Sequence, residues 1–79
     1  MKKSIRLYIT GTVQGVFFRA FIKDNAERLD VKGFTRNLDD GRVEVFLEGN
    51  SADVNKMIEL CNQGPKHSQV KDVQMKPEK

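Results

Sequence analysis

The sequence predicts an α+β fold in which a four-stranded antiparallel sheet carries two helices on one face. Three observations support this prediction. Apolar residues alternate in some segments, as in strands; they recur at helical spacing in two others; and turn residues separate these segments. With 79 residues, 38% of them hydrophobic and 32% charged, the chain is expected to form a single globular domain, residues 1–79.

The first strand and the first helix lie on either side of a glycine-rich segment. Ile5 to Thr10 alternates apolar and polar side chains, which is typical of a half-buried strand. A helix is predicted from Phe21 to Leu29, and Gly33 is expected to stop it. One face of this helix, largely apolar, begins in the preceding segment and comprises Phe18, Phe21, Ile22, Asn25 and Leu29.

A hairpin follows this helix. Phe34 to Leu38 and Arg42 to Glu48 are the predicted second and third strands, and Asp39-Asp40-Gly41 between them is a strong turn signal. Val43, Val45 and Leu47 share one face of the third strand, so Phe46 points to the opposite face.

The second helix and the last strand complete the chain. Gly49-Asn50-Ser51 offers helix N-caps, and Gly64-Pro65 ends the helix. The predicted apolar stripe between them consists of Val54, Met57, Ile58 and Cys61. Val70 to Met75 predicts the last strand. The order βαββαβ is typical of a ferredoxin-like sandwich, a fold that hosts many functions.

Charge and cysteine content exclude several classes of protein. The net charge of +3 favours anionic ligands but is too small to indicate a nucleic-acid binder. Cys61 is the single cysteine, so an internal disulfide and an all-cysteine metal site are excluded, and a cytoplasmic location is expected. The longest apolar stretch, Val16 to Ile22, is interrupted by Arg19 and is too short to span a membrane. A monomer is the default expectation.

The run from Gly11 to Arg19 is the most informative segment. Glycines at Gly11 and Gly15 permit sharp turns, and a helix N-terminus follows with its free N–H groups. Arg19 adds a guanidinium that can donate two parallel hydrogen bonds to a phosphate. This combination predicts a site that holds a phosphate group.

Two elements of the sequence occur in a fixed order. The first is Gly11-x-Val13-Gln14-Gly15-Val16-x-Phe18-Arg19. The second is Gly33-Phe34-Thr35-Arg36-Asn37, followed by Asp40-Gly41-x-Val43-Glu44. Together these elements resemble the acylphosphatases. The resemblance runs from about Ile5 to Pro65 and implies hydrolysis of the carboxyl–phosphate bond of acyl phosphates, which releases a carboxylate and inorganic phosphate.

The resemblance also implies roles for individual residues. Arg19 would bind the phosphoryl group, and Asn37 would orient the attacking water, so these two are the candidate catalytic residues. The substrate-binding candidates, which act through their backbone amides, are Gln14, Gly15, Val16, Phe17, Phe18 and Arg19. The resemblance implies no metal or organic cofactor. The modest charge and the short apolar stretch predict no nucleic-acid or membrane partner.

Two alternatives and two departures from the family pattern accompany this assignment. The chain could be a non-catalytic module that binds a phosphate-bearing ligand, or a nucleic-acid binder that uses Tyr8 and Phe46. Phe34 stands where the family commonly has tryptophan. The family also continues into a further edge strand, whereas residues 75–79 are charged and are not expected to form a strand. Nothing in the sequence specifies a pocket for the acyl group.

Overall fold

The computed structural model describes residues 1–15 and 17–78 and has the predicted βαββαβ order. The four strands are antiparallel and lie in the order β2-β3-β1-β4. The fold class is therefore the predicted one. The elements are β1 (Lys2–Thr12), α1 (Phe18–Arg28), β2 (Lys32–Asn37), β3 (Val43–Asn50), α2 (Ser51–Gln63) and β4 (Gln69–Glu78).

The hydrophobic core lies between one face of the sheet and the two helices. Because side chains alternate along a strand, every second residue of the central strands β1 and β3 points toward the helices. The predicted alternation is confirmed, and so are the apolar stripes of the helices. The buried core includes Ile5, Leu7, Ile9, Val43, Val45, Leu47, Phe18, Ile22, Val54, Met57 and Cys61.

The caps of α2 agree with the sequence. The side chain of Asn50, the N-cap residue, accepts a hydrogen bond of 3.1 Å from the backbone N–H of Ala52. Gly64 follows the helix with φ of 71°, and its N–H donates to the carbonyl of Leu60. Neither helix is long and apolar enough to cross a membrane, as far as the described residues extend.

The stop signal of α1 differs from the prediction, because Gly33 does not end this helix. The helix ends at Arg28, and Asp30 adopts the left-handed conformation with φ of 57°. The N–H of Val31 donates to the carbonyl of Ala26, and that of Asp30 donates to Glu27. These two bonds form a Schellman motif, in which an aspartate takes the position that glycine usually holds. Gly33 instead lies within β2.

The last strand is longer than predicted. The strand β4 extends to Glu78 and pairs with β1, so the charged residues after Met75 continue it. Charge does not oppose this extension because β4 is an edge strand with one side open to water. Pro77 is also tolerated, since a proline lacks an N–H group to donate and is compatible with an edge position.

Candidate active site

The loop between β1 and α1 is shorter than the sequence indicated. β1 extends through Thr12 and α1 begins at Phe18, so Gly11 lies within the strand, at a register shift between Thr10 and Gly11. Gly15 makes the turn with φ of 73°, a conformation that glycine adopts without a steric penalty. The loop therefore contains five residues, 13–17, and Arg19 belongs to the first turn of the helix.

The N-terminus of α1 favours an anion. Phe17, the N-cap residue, has φ of 61° and makes no capping hydrogen bond through its side chain within the described part of the chain. The first turn contains no acidic residue. The N–H groups at the start of a helix lack partners within the helix, and the helix dipole places partial positive charge there. Arg19, which is exposed, adds its full positive charge at the same position.

A cavity of about 290 Å3 opens at this helix terminus. It brings together Arg19 from α1 and Asn37, the last residue of β2, although the two are far apart in sequence. Gly15, Phe17 and Phe18 also line this cavity, which we call the phosphate cavity. The pair that the sequence singled out as catalytic therefore shares one cavity.

The remaining substrate-binding candidates are placed differently. Phe18 lines the phosphate cavity as the first residue of α1, and it is only 1% exposed and belongs to the core. The ring of Phe17 projects into solvent and is 84% exposed. Val16 lies outside the described residues. Gln14 is not among the residues that line the phosphate cavity.

Gln14 instead connects the loop to the β2–β3 hairpin. Its side-chain Nε2 donates hydrogen bonds of 2.9 Å to the carbonyl oxygens of both Leu38 and Arg42. Leu38 directly follows Asn37, and its N–H donates to the carbonyl of Arg42, which closes the hairpin. The side chain of Gln14 thus links the loop before Arg19 to the backbone beside Asn37. The sequence analysis missed this contact because it assigned Gln14 a role only through its backbone amide.

The open face of the sheet contains the two aromatic residues of the nucleic-acid alternative. Phe46 stacks on Phe34 with ring centroids 5.7 Å apart, and the guanidinium of Arg6 lies over both rings. Arg42 and Lys76 lie over the ring of Tyr8 at 5.1 and 5.4 Å. The chain's own cations therefore occupy ring faces that base stacking would require.

Glu44 lies among these aromatic residues and is 2% exposed. Its carboxylate accepts hydrogen bonds from Arg6, at 2.6 Å, and from Arg36. Burial alone raises the pKa of Glu44, but the hydrogen bonds from Arg6 and Arg36 outweigh this effect and hold the pKa below its usual value. Glu44 thus remains ionised and ties β1, β2 and β3 together across the open face.

Comparisons with known proteins point to a single family. A family model described as Acylphosphatase matches residues 5–79. The acylphosphatase of Rubrobacter xylanophilus is 46% identical over 76 residues, which cover 96% of this chain and 69% of that protein. The acylphosphatase of Syntrophus aciditrophicus is 50% identical over 68 residues, which cover 86% of this chain and 71% of that protein.

A solved structure supports the same relationship. The crystal structure of acylphosphatase from Bacillus subtilis superposes with a TM-score of 0.93 at 33% sequence identity. The superposition covers 99% of this chain and 86% of the Bacillus protein.

Proposed function

This chain belongs to the acylphosphatase family and hydrolyses acyl phosphates, and we propose that Arg19 and Asn37 carry out this reaction. The observation that supports the proposal most directly is the phosphate cavity, which both residues line at the N-terminus of α1. The guanidinium of Arg19 donates two hydrogen bonds to the phosphoryl oxygens. Backbone amides of the loop and of the first helical turn donate to the same oxygens.

The chemical step needs few catalytic groups. The side-chain amide of Asn37 accepts a hydrogen bond from a water molecule and directs its oxygen at phosphorus. The P–O bond to the acyl group breaks, and the carboxylate leaves with the bonding electron pair. Because carboxylates of this kind have a conjugate-acid pKa of about 4, the leaving group departs unprotonated at neutral pH. The water transfers one proton to a phosphate oxygen, so the products are a carboxylate and dihydrogen phosphate.

Catalysis in this scheme consists of positioning and charge stabilisation. The transition state of phosphoryl transfer is loose, and its negative charge is spread over the equatorial oxygens. Donors that are already in place stabilise this charge without reorganisation. The reaction is therefore proposed to need no metal ion, with inorganic phosphate as product and as a competitive inhibitor.

The test is hydrolysis of benzoyl phosphate in the presence of EDTA. Wild-type protein should be active, and Arg19→Ala and Asn37→Ala should each lose at least about 100-fold in kcat, as expected when a preorganised donor is removed. Arg28→Ala and Asn62→Ala serve as matched controls, because both residues are exposed and lie away from the phosphate cavity. Folded wild-type protein that binds phosphate without turnover would instead favour the non-catalytic binding module.

The oligomeric state and the cellular location of the enzyme are also proposed. We assign residues 1–79 to one monomeric domain that acts in the cytoplasm. The buried, unpaired Cys61 supports this location, since a free thiol is compatible with a reducing compartment. Light scattering coupled to size-exclusion chromatography tests the monomer, for which a mass near 9.0 kDa is expected.

A further inference from the structure

A second and larger cavity, of about 590 Å3, lies between α1 and the edge strand β2. It shares Arg19 and Ala20 with the phosphate cavity. On the strand, Thr35 lines this second cavity and Asn37 lines the phosphate cavity. Thr35 and Asn37 share one face because they are two residues apart on a strand. The two cavities therefore adjoin at Arg19 and Ala20. We call the second cavity the α1–β2 groove.

The floor of the α1–β2 groove is apolar. It includes Ile22 of α1, Val31 of the following turn and Leu47 of β3, which also belong to the hydrophobic core. Ala26 adds a small side chain on the helix, one turn beyond Ile22, and thereby leaves room in the groove. A ligand group in this position would exchange water for apolar contacts.

The rim of the groove is charged but mixed in sign. Lys23 and Glu27 lie on α1, and Lys32 begins β2. All three side chains are exposed, so water screens them and they contribute little binding energy. The apolar floor, rather than the rim, is therefore expected to decide which ligand group binds here.

We propose that the α1–β2 groove binds the acyl group of the substrate and favours acyl phosphates with an apolar chain or ring over acetyl phosphate. This inference rests on the proposed function, because Arg19 holds the phosphoryl group at the entrance of the groove. The cavity volume suits the assignment, since small-molecule sites span roughly 300–1,000 Å3. The 290 Å3 phosphate cavity accommodates the phosphoryl group and the attacking water, and the groove accommodates the remainder of the substrate.

A chain-length series tests this assignment by kinetics. Straight-chain carboxylates differ little in basicity, so acetyl, butanoyl and hexanoyl phosphates present nearly equal leaving groups. Each added methylene that contacts the floor of the groove should raise kcat/KM by roughly two- to fourfold. A value of kcat/KM that is independent of chain length would overturn the proposal.

A matched pair of variants locates the effect. Ala26→Leu fills the groove, whereas Ala52→Leu makes the same change at an exposed position of α2. We expect Ala26→Leu to lower kcat/KM for hexanoyl phosphate at least fivefold more than it lowers kcat/KM for acetyl phosphate. Ala52→Leu should change neither value. Equal losses on both substrates in a folded Ala26→Leu protein would contradict the assignment.

Ligand binding to wild-type protein tests the groove without a variant that might unfold. Hexylphosphonate and methylphosphonate share a phosphonate group and differ in the length of their apolar chain. Both should shift the backbone amide signals of Gly15 and Arg19 in NMR spectra. Only hexylphosphonate should also shift those of Lys23, Ala26 and Thr35, which lie in the groove.

The outcomes separate the two proposals. If hexylphosphonate shifts only the signals of the loop, the groove does not bind the acyl group, and the assignment of the phosphate cavity still stands. The absence of loop shifts with either phosphonate would overturn the proposed site, and the groove assignment with it.

Discussion

The side-chain amide of Gln14 donates a 2.9 Å hydrogen bond to the carbonyl oxygen of Leu38. A second bond of equal length reaches the carbonyl of Arg42 on the other side of the same hairpin. Gln14 comes just before the turn that leads into α1, and Leu38 follows Asn37. This contact therefore couples the position of the loop to the position of Asn37, and its removal should affect catalysis as well as folding.

Gln14→Leu should lower kcat by about 10- to 100-fold, because misplacement of catalytic groups by about 1 Å costs up to that factor. The loss of two neutral hydrogen bonds should lower the free energy of unfolding by about 1–3 kcal/mol. Benzoyl phosphate kinetics and urea unfolding measure the two effects. Gln63→Leu, an exposed glutamine at the end of α2, is the control. Wild-type kcat in Gln14→Leu would rule out a positioning role.

Arg19→Lys should retain the positive charge but lose most of the activity. A lysine presents a point charge and cannot make the two parallel hydrogen bonds of a guanidinium. We expect kcat/KM to fall by about 100-fold, comparable to the loss of one preorganised donor. Arg28→Lys, near the end of the same helix, should be close to wild type. A fully active Arg19→Lys would show that charge alone is sufficient at this position.

Glu44 should make the free energy of unfolding depend on pH in the acidic range. Arg6 and Arg36 hold the pKa of Glu44 below its usual value despite its burial. In the unfolded chain Glu44 has an ordinary pKa near 4.3, whereas its pKa in the folded protein is lower. The unfolded chain therefore binds a proton at a higher pH than the folded protein does, and unfolding is favoured as the pH falls. The contribution of Glu44 is complete above the pKa in the unfolded chain and is lost as the pH falls through the pKa in the folded protein.

Glu44→Gln measures this contribution. At pH 7 the substitution should lower the free energy of unfolding by roughly 1–3 kcal/mol, because it weakens two charge-assisted hydrogen bonds. Between pH 7 and pH 3 the difference from wild type should shrink, which urea unfolding at several pH values can follow. Glu48→Gln changes an exposed carboxylate on the same strand and should show a much smaller effect. A difference that stays constant over this range would contradict the pKa direction.

Gly33→Ala should destabilise the edge strand β2. An added Cβ would lie 1.7 Å from the carbonyl oxygen of Phe46, and φ of 150° disfavours any other residue. We expect the free energy of unfolding to fall by more than about 2 kcal/mol, the scale of overpacking. At Gly49 an added Cβ meets nothing closer than 3.5 Å, so Gly49→Ala is the control. Equal thermal stability of the two variants would contradict the close approach of β2 and β3.

The thiol of Cys61 should be unreactive in the folded protein. Burial raises the pKa of Cys61 to about 12, so almost no reactive thiolate exists at pH 8. Iodoacetamide should therefore label native protein far more slowly than urea-unfolded protein, as mass spectrometry can record. Because the sequence has a single cysteine, each label reports this position. Rapid labelling without denaturant would show that α2 opens locally.

The sequence predicted the order of the helices and strands more accurately than the residues at which they end. The alternation in Ile5 to Thr10 and the stripe from Val54 to Cys61 depend on local geometry, and both are confirmed. The stop signal of α1 was wrong, because Asp30 and not Gly33 takes the left-handed conformation that usually indicates glycine. The end of β4 was wrong because pairing with β1 stabilises residues that lack strand propensity of their own.

The sequence by itself determined the family and the candidate pair Arg19 and Asn37. Both motifs are short, and the strand–helix junction and the hairpin that carry them follow from local periodicity and turn residues. Only the tertiary structure decided which side chains meet across these elements. The Gln14 contact, the burial of Glu44 and the α1–β2 groove depend on strand order and on how α1 packs beside β2. These relationships arise from packing between segments distant in the chain, which no local pattern in the sequence encodes.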